Sequence, residues 1–229
     1  SLHDALPILH DHVSAAKKAA FVHVDYVQAG YTRRLDKDCY VDFDRIFAVS
    51  DETAGVLAGV YPECQQKLSV FHNLIDTEAI RQKALLPAEK SMHEGIRLLT
   101  VGRLTPQKGF DCAVYALKLL LEKQYPVYWY IIGEGPEYGR LTQLARSLHV
   151  EDHFIFLGMQ TNPYPYFKMA DFYIHATRFE GKSIAIQEAQ VLGCAIAASD
   201  CSGNREQIVS GVDGLLCPFS PEGIANEIG

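Results

Sequence analysis

The stretch IRLLTVGRLTPQKGFDCAVYALKLL, residues 96–120, joins an almost continuously apolar run to a segment of helical periodicity. The run 96–102 predicts a buried strand, because strands covered on both faces are apolar at nearly every position. The segment near 109–124 predicts a helix, and the glycines and Pro106 between the two segments predict a tight turn. A strand that leads directly into a helix is the unit from which parallel α/β sheets are built.

The same alternation of apolar runs and helical segments continues to the end of the chain. Because apolar strands separated by helices are typical of a parallel sheet covered on both faces, the sequence predicts a doubly wound, Rossmann-like α/β fold. The further predicted strands are 127–133, 154–158, 172–176, 195–199 and 214–217, and the further predicted helices lie near 137–148, 163–169, 182–192, 203–210 and 221–228.

The first half of the chain shows this pattern less completely. It contains three apolar runs and one helical segment, which predict part of a second Rossmann-like domain. The strands are predicted at 19–24, 44–50 and 67–73, and the helix near 51–60.

We therefore expect a partial N-terminal domain over 9–75 and a nearly complete C-terminal domain over 96–229. The polar, helix-biased segment 76–95 is the predicted connection between them. Residues 1–8, SLHDALPI, do not begin with methionine and resemble translated adapter sequence, so we predict a non-native leader there. We expect the chain to be a fragment of a longer protein, without the first half of the N-terminal domain and the last C-terminal helices.

Composition narrows the class of protein. The chain has 229 residues, of which 48% are hydrophobic, and a formal net charge of −7, which argues against a nucleic-acid partner. Six cysteines without a C-x-x-C pair predict reduced thiols in a cytoplasmic protein. No apolar run approaches the roughly 18 residues of a membrane span, and no signal peptide is evident.

Residues that follow the predicted strands are the first candidates for a site, because ligands of open parallel sheets bind at the carboxyl ends of the strands. The turn GRLTPQKG after the strand 96–102 places Arg103 and Lys108 beside Gly102. A guanidinium fork and a lysine point charge suit a phosphate group. A solvated basic loop before a helix is the alternative.

A second candidate is the stretch RFEGKSIAIQEAQVLG, residues 178–193. A helix beginning near Lys182 would leave a row of amides free to bind an anion, namely those of Gly181, Lys182, Ser183 and Ile184. Two carboxylates on either side of such a helix start suit a nucleotide-diphosphate sugar, with Glu180 on the sugar hydroxyls and Glu188 on the ribose. A glutamate in an amphipathic helix is otherwise most often a solvated surface residue.

Together these motifs resemble those of retaining glycosyltransferases of family 4, which have the two-Rossmann-domain GT-B fold. The resemblance covers nearly all of residues 19–228. It rests on VGRLTPQKGFD, IIGEGPEYGRL, FLGMQTNPYPYFKMADFYIHAT, RFEGKSIAIQEAQVLGCAIAASD and NREQIVSGVDGLL. Its most specific parts are the E-x7-E pattern from Glu180 to Glu188 and the R-x4-K pattern from Arg103 to Lys108.

The resemblance implies a role for each matched residue. Arg103 and Lys108 match the cations that hold the donor diphosphate, and Glu180 and Glu188 match the glutamates on the donor sugar and the ribose. His23 matches the histidine of the N-terminal, acceptor-side domain that faces the donor sugar. Many members continue E-G-F-[PG] after the first glutamate, whereas this chain has Lys182 and Ser183 there, so the identity of the donor stays open.

The resemblance also implies the partners of the full-length enzyme. We expect a nucleotide-diphosphate sugar as donor, no cofactor or metal, and transfer of a hexose-like sugar with retained configuration. The acceptor would be a carbohydrate, a lipid-linked or a small molecule in cell-envelope polysaccharide biosynthesis. Peripheral contact with the inner face of the membrane would involve the missing N-terminal part.

Other motifs point to other kinds of site. GEGPEYG, residues 133–139, is close to a dinucleotide fingerprint, but we interpret Gly133 and Gly135 as a tight turn near the nucleotide rather than an NAD site. The triplets at 36–38 and 42–44 match a metal-binding D-x-D, which arises easily by chance in polar turns. The HDH at 10–12 is typical of a surface cluster.

Two alternative functions remain open at this point. One is a nucleotide-sugar 2-epimerase of the same architecture, although no acid and base for that reaction can be identified. The other is a fragment that binds the donor without turnover.

Overall fold

The computed structural model describes residues 5–229, and of the predicted leader residues 1–4 lie outside this part. The chain forms two compact units. One consists of the chain up to Leu74 together with Phe179–Lys182, and the other of Ile75–Arg178 with Ser183–Gly229. The predicted connection 76–95 lies in the second unit and contains a short helix.

The first unit is built on three parallel strands in the order β1-β2-β3. The strands are shorter than predicted by one or more residues at their ends. They are β1 Ala19–Val22, β2 Arg45–Ala48 and β3 Leu68–Val70, and the helices of this unit are α1 Ala5–His12 and α2 Asp51–Val60, with 3-10 turns at Cys39–Asp42 and Pro62–Lys67.

A buried carboxylate organises the core of the first unit. Asp36 accepts hydrogen bonds from the hydroxyls of Tyr26, at 2.6 Å, and Tyr61, at 2.7 Å. Asp38 pairs with Arg33, and Asp42 lies 2.6 Å from a ring nitrogen of His10. The carboxylates of both D-x-D triplets thus have protein partners in this unit.

The second unit is a six-stranded parallel sheet in the order β6-β5-β4-β7-β8-β9. The strands are β4 Ile96–Val101, β5 Val127–Ile132, β6 Phe154–Gly158, β7 Phe172–His175, β8 Ala195–Ser199 and β9 Leu215–Cys217. The helices are α3 Thr77–Lys83, α4 Phe110–Glu122, α5 Tyr138–Ser147, α6 Tyr164–Met169, α7 Ile184–Val191, α8 Ser202–Arg205 and α9 Pro221–Ile228.

Both faces of this sheet are covered, as the continuous apolar runs predict. Successive side chains of a strand point to opposite faces. Leu98 of β4 therefore packs with Leu117 of α4 and Ile224 of α9, whereas Leu99 packs with Ile186 of α7 on the other face. The predicted α/β class with a doubly wound parallel sheet is confirmed.

The helix predicted at 203–210 ends early, at Arg205. The amide of Val209 donates to the carboxylate of Asp213 at 2.7 Å, and Gly211 turns the chain with a φ of +82°. A side chain that captures a backbone donor in this way competes with helix formation. The predicted helix was too long, because hydrophobic periodicity does not reveal a side chain that binds a backbone amide.

The strand order reverses beside β4, because the chain proceeds from β4 to β5 on one side and places β7 on the other. Side chains lock these three strands together. The Trp129 indole donates to the Thr100 hydroxyl at 2.9 Å, and that hydroxyl donates to the Ile174 carbonyl at 2.8 Å. The crevice for a ligand is expected at the carboxyl ends of strands at such a reversal.

The loops that follow β4 and β5 lie backbone against backbone. The amide of Gly102 donates to the carbonyl of Ile132 at 2.9 Å, and the amide of Leu104 donates to the carbonyl of Glu134 at 2.9 Å. The amide of Glu137 donates back to the Leu104 carbonyl at 3.1 Å. These bonds fix the first turn of both loops against each other.

Two glycines make this approach feasible. A Cβ atom on Gly133 would lie 2.0 Å from the Gly102 carbonyl oxygen, and one on Gly135 would lie 2.3 Å from the Leu104 carbonyl oxygen. Gly133 also has a φ of +141°, a conformation that costs little only for glycine. Gly133 and Gly135, the first two glycines of GEGPEYG, are thus explained by packing between two loops.

Gly135→Ala should lower the free energy of unfolding by about 2 to 4 kcal/mol, because the new methyl group meets backbone that cannot rotate away. The matched control is Gly139→Ala in α5, where a Cβ has nothing within 4 Å. This control should be neutral or gain up to about 1 kcal/mol of stability. Urea unfolding of the full chain measures both, and equal stability of the two variants would contradict the close contact.

Candidate functional site

The loop after β4 carries the two predicted phosphate-binding cations. The side chain of Arg103 is exposed, and no hydrogen bond or ion pair engages its guanidinium within residues 5–229. The stem of Lys108 covers Gly102, since its Cδ and Cε atoms lie 3.7 Å from the position that a Cβ on Gly102 would take. The structure therefore brings Gly102, Arg103 and Lys108 together at the carboxyl edge of the sheet.

A cavity of about 540 Å³ opens beside this loop. Its wall includes the predicted residues Gly102, Arg103, Gly133 and Gly135. Met159 and Gln160, which directly follow β6, also line the cavity and were missed by the sequence analysis. Their position immediately after a predicted strand is the signal that could have found them.

The loop that follows β7 is tied to the loop that follows β4. The Arg178 guanidinium donates to both oxygens of Asp111, at 3.0 and 2.7 Å, and to the Pro106 carbonyl at 2.6 Å. Thr177 donates to the Gln107 carbonyl at 3.1 Å. Burial alone would raise the pKa of Asp111, but the bond and the charge of Arg178 bring that pKa below its ordinary value. The ion pair of Arg178 and Asp111 thus holds the turn that precedes Lys108. The sequence analysis did not predict it.

Helix α7 begins at Ile184 with Ser183 as N-cap, so the predicted start near Lys182 was wrong. The Lys182 carbonyl accepts a hydrogen bond from the Asn73 side chain at 3.1 Å instead of from a helical amide. The unpaired amides of this helix therefore start at Ser183 and Ile184, and those of Gly181 and Lys182 lie before it.

Glu188 is only partly exposed to solvent. Its side chain is half-buried in α7, and the Tyr164 hydroxyl donates to its Oε1 at 2.9 Å. Burial raises the pKa of this carboxyl, and the bond from Tyr164 opposes the rise. Glu188 is thus partly shielded from solvent and hydrogen-bonded, and its role at a ribose stays a prediction.

The remaining predicted residues lie in the first unit. His23 is exposed and directly follows β1, and Gly181 packs against it, since a Cβ on Gly181 would lie 2.2 Å from the His23 carbonyl oxygen. Glu180 is buried. The Lys182 ammonium lies 3.2 Å from Nδ1 of His72. Glu180 and Glu188 therefore belong to different units.

No helix within residues 5–229 is both long enough and apolar enough to cross a bilayer.

Curated proteins with similar sequences are glycosyltransferases. An uncharacterized glycosyltransferase of Methanocaldococcus jannaschii is 25% identical over 76% of this chain and 42% of its own length. The N-acetylgalactosamine-N,N'-diacetylbacillosaminyl-diphospho-undecaprenol 4-alpha-N-acetylgalactosaminyltransferase of Campylobacter jejuni is 33% identical over 69% of this chain and 42% of its own length. The chain thus spans less than half the length of these relatives.

Solved structures show the same fold. Anabaena HepE in complex with UDP superposes with a TM-score of 0.78 at 18% identity, over 99% of this chain and 66% of that one. The pneumococcal O-GlcNAc transferase GtfA in complex with UDP and GlcNAc gives a TM-score of 0.68 at 19% identity, over 93% of this chain and 43% of that one. These likenesses confirm the fold class, Rossmann-like α/β of the GT-B type.

The family described as glycosyl transferases group 1 matches residues 81–229, which is well over half of the chain. This match covers β4 with its cationic loop, the cavity wall, Tyr164 and Glu188. The chain therefore belongs to the glycosyl transferases group 1.

Proposed function

We propose that the protein is a retaining glycosyltransferase of family 4 that moves a sugar from a nucleotide-diphosphate sugar to an acceptor. The observation that carries the proposal is the position of Arg103 on the wall of a cavity of about 540 Å³, with Lys108 on the same loop and with no partner for the guanidinium among residues 5–229. A free cation at the carboxyl edge of a parallel sheet is a ready site for a diphosphate.

The cavity beside the cations suits a nucleoside. Its wall combines glycine backbone with the exposed side chain of Met159, which offers a soft apolar surface for a flat base. HepE has also been crystallised with UDP-glucose. We therefore propose a uridine-diphosphate sugar as the first donor to test, with its diphosphate on Arg103 and Lys108.

The two cations explain how transfer could be accelerated. As the bond from the anomeric carbon to the diphosphate breaks, negative charge grows on the departing phosphate. Arg103 can bind two of its oxygens through a planar fork, and Lys108 adds a point charge. Because these side chains can offset the charge, we propose that transfer requires no divalent metal. Retention would follow from front-face attack, in which the leaving phosphate helps to deprotonate the acceptor.

The glutamates and the histidine take the roles that the resemblance implies. Glu180 would accept hydrogen bonds from the donor sugar, and Glu188 from the ribose. His23 would face the donor sugar. Each of these roles is proposed separately. Many members of the family have phenylalanine where this chain has Lys182, so the identity of the transferred sugar stays open.

The names of the relatives indicate only the chemical class of the acceptor. The Campylobacter relative is named for a diphospho-undecaprenol acceptor, and a relative from Erwinia amylovora for amylovoran biosynthesis. We propose an acceptor in cell-envelope polysaccharide biosynthesis, carbohydrate or lipid-linked, used at the cytoplasmic side of the membrane. The epimerase hypothesis is not favoured, because the matched family and relatives are glycosyltransferases.

Product analysis tests the reaction class. The full chain is incubated with UDP-glucose labelled in the sugar, or with UDP-N-acetylgalactosamine labelled likewise, and the products are separated. We expect UDP together with labelled sugar, either free or on an added polyprenyl-linked acceptor. A labelled UDP-epimer would make the protein an isomerase. Donor that is bound but unchanged would leave a binding function without turnover.

Substitution of the two cations tests the mechanism. Arg103→Lys and Lys108→Ala should each lower kcat by about 10²- to 10³-fold with a smaller effect on donor affinity, because the charge that they oppose develops in the transition state. Lys118→Ala on α4 removes the same charge far from the loop and should stay within about twofold of the wild type. Steady-state kinetics with and without a metal chelator measure kcat and KM for each variant. Normal rates in both loop variants, or loss of wild-type activity with the chelator, would contradict the cationic, metal-independent site.

A further inference from the structure

Glu188 faces a second, smaller cavity in the second unit. This cavity has a volume of about 200 Å³ and lies between α7, α6 and α3. Besides Glu188, its polar wall consists of Tyr164 from α6 and of Asp76 and Lys83 at the two ends of α3. This cavity shares no lining residue with the one beside Arg103, but consecutive residues line the two, Pro163 the larger cavity and Tyr164 this one. The carboxylate thus borders on a space next to the proposed nucleoside cavity.

The polar groups around this cavity differ in whether they form a hydrogen bond with Glu188. Asp76 is the N-cap of α3, and its Oδ1 accepts from the Ala79 amide at 2.9 Å. Lys83 lines the cavity at the other end of α3 without a hydrogen bond to Glu188 within the described residues. Across residues 5–229, the 2.9 Å bond from Tyr164 is the side-chain hydrogen bond that Glu188 receives. Within the described residues, Tyr164 is therefore the side chain that hydrogen-bonds this carboxylate.

The bond leaves acceptor capacity for a ligand. A carboxylate offers about four lone-pair directions on its two oxygens, and Tyr164 uses one of them on Oε1. Rotation about the last side-chain bond of a glutamate is soft, so an unsupported carboxylate would sample many orientations. A donor on a neighbouring helix removes that freedom before a ligand arrives.

We propose that Tyr164 is a positioning residue, whose hydroxyl holds the Glu188 carboxylate in the orientation that accepts the ribose hydroxyls of the nucleotide donor. The inference rests on the proposed function, since it assigns a support to the ribose end of the same donor. Tyr164 itself touches neither the transferred sugar nor the diphosphate in this scheme.

The charge states of the pair agree with the geometry. Burial, and then the bond to Glu188, raise the pKa of Tyr164 to about 12, so the phenol keeps its proton at neutral pH. Burial raises the pKa of Glu188 above its ordinary value, and the Tyr164 bond lowers it. Ribose binding that needs the carboxylate is therefore lost as the pH falls through this raised pKa. Removal of the phenol raises the pKa further and moves that loss to higher pH.

The test compares Tyr164→Phe with Tyr115→Phe, an exposed tyrosine on α4, in the full chain. Calorimetric titration uses UDP and, separately, inorganic pyrophosphate, which has no ribose. Tyr164→Phe should weaken UDP binding by about fivefold to tenfold and leave pyrophosphate binding unchanged. Tyr115→Phe should bind both as the wild type does. Thermal unfolding of each variant accompanies the titration.

Two further measurements separate positioning from packing. The acid limb of UDP binding should lie at higher pH in Tyr164→Phe than in the wild type. In a Glu188→Gln background, Tyr164→Phe should have little further effect on UDP, because the hydroxyl acts through the carboxylate.

The outcomes distinguish this inference from the function on which it rests. If the wild type binds neither UDP nor GDP nor ADP, the proposed function fails and the role of Tyr164 fails with it. If the wild type binds UDP but Tyr164→Phe binds it equally well, only the role of Tyr164 is overturned. Equal weakening of UDP binding and pyrophosphate binding by Tyr164→Phe also overturns it. So do additive effects of Tyr164→Phe and Glu188→Gln on UDP binding.

Discussion

Backbone contact between the loops after β4 and β5 is the constraint on which the site depends. The amides of Gly102 and Leu104 bond to the carbonyls of Ile132 and Glu134, each at 2.9 Å. Such contact is feasible only where the residues that face the other loop lack a Cβ atom, and Gly133 and Gly135 meet that requirement. Arg103 stands between the two bonded residues, so its backbone is fixed while its guanidinium stays exposed. The backbone that carries this cation is therefore already ordered before an anion binds.

The rest of the second unit supports that edge. The Trp129 to Thr100 to Ile174 chain of hydrogen bonds sets β4, β5 and β7 in register. The Arg178 and Asp111 pair then fastens the end of the loop that carries Lys108. Each of these contacts is buried or bidentate, which is where polar interactions contribute most. These contacts tie the strands and loops together along the carboxyl edge.

The sequence predicted the sheet and the cations but not the partners that orient them. Short apolar runs such as 96–102 that alternate with helical segments indicate buried strands, so the parallel sheet followed from local pattern. Arg103 and Lys108 were found because they directly follow that strand. The partner of Glu188 lies 24 positions away at Tyr164, and that of Arg178 lies 67 positions away at Asp111. Only the folded chain brings such residues together. The early end of one helix and the late start of another have the same cause, a side chain that captures a backbone group.

A crystal structure of the full chain grown with UDP tests the central claim most directly. The account predicts density for the diphosphate within hydrogen-bond distance of the Arg103 guanidinium and the Lys108 ammonium. It also predicts the uridine against the wall that contains Gly133, Gly135 and Met159. A diphosphate bound elsewhere, with the Arg103 guanidinium exposed as before, would contradict the account.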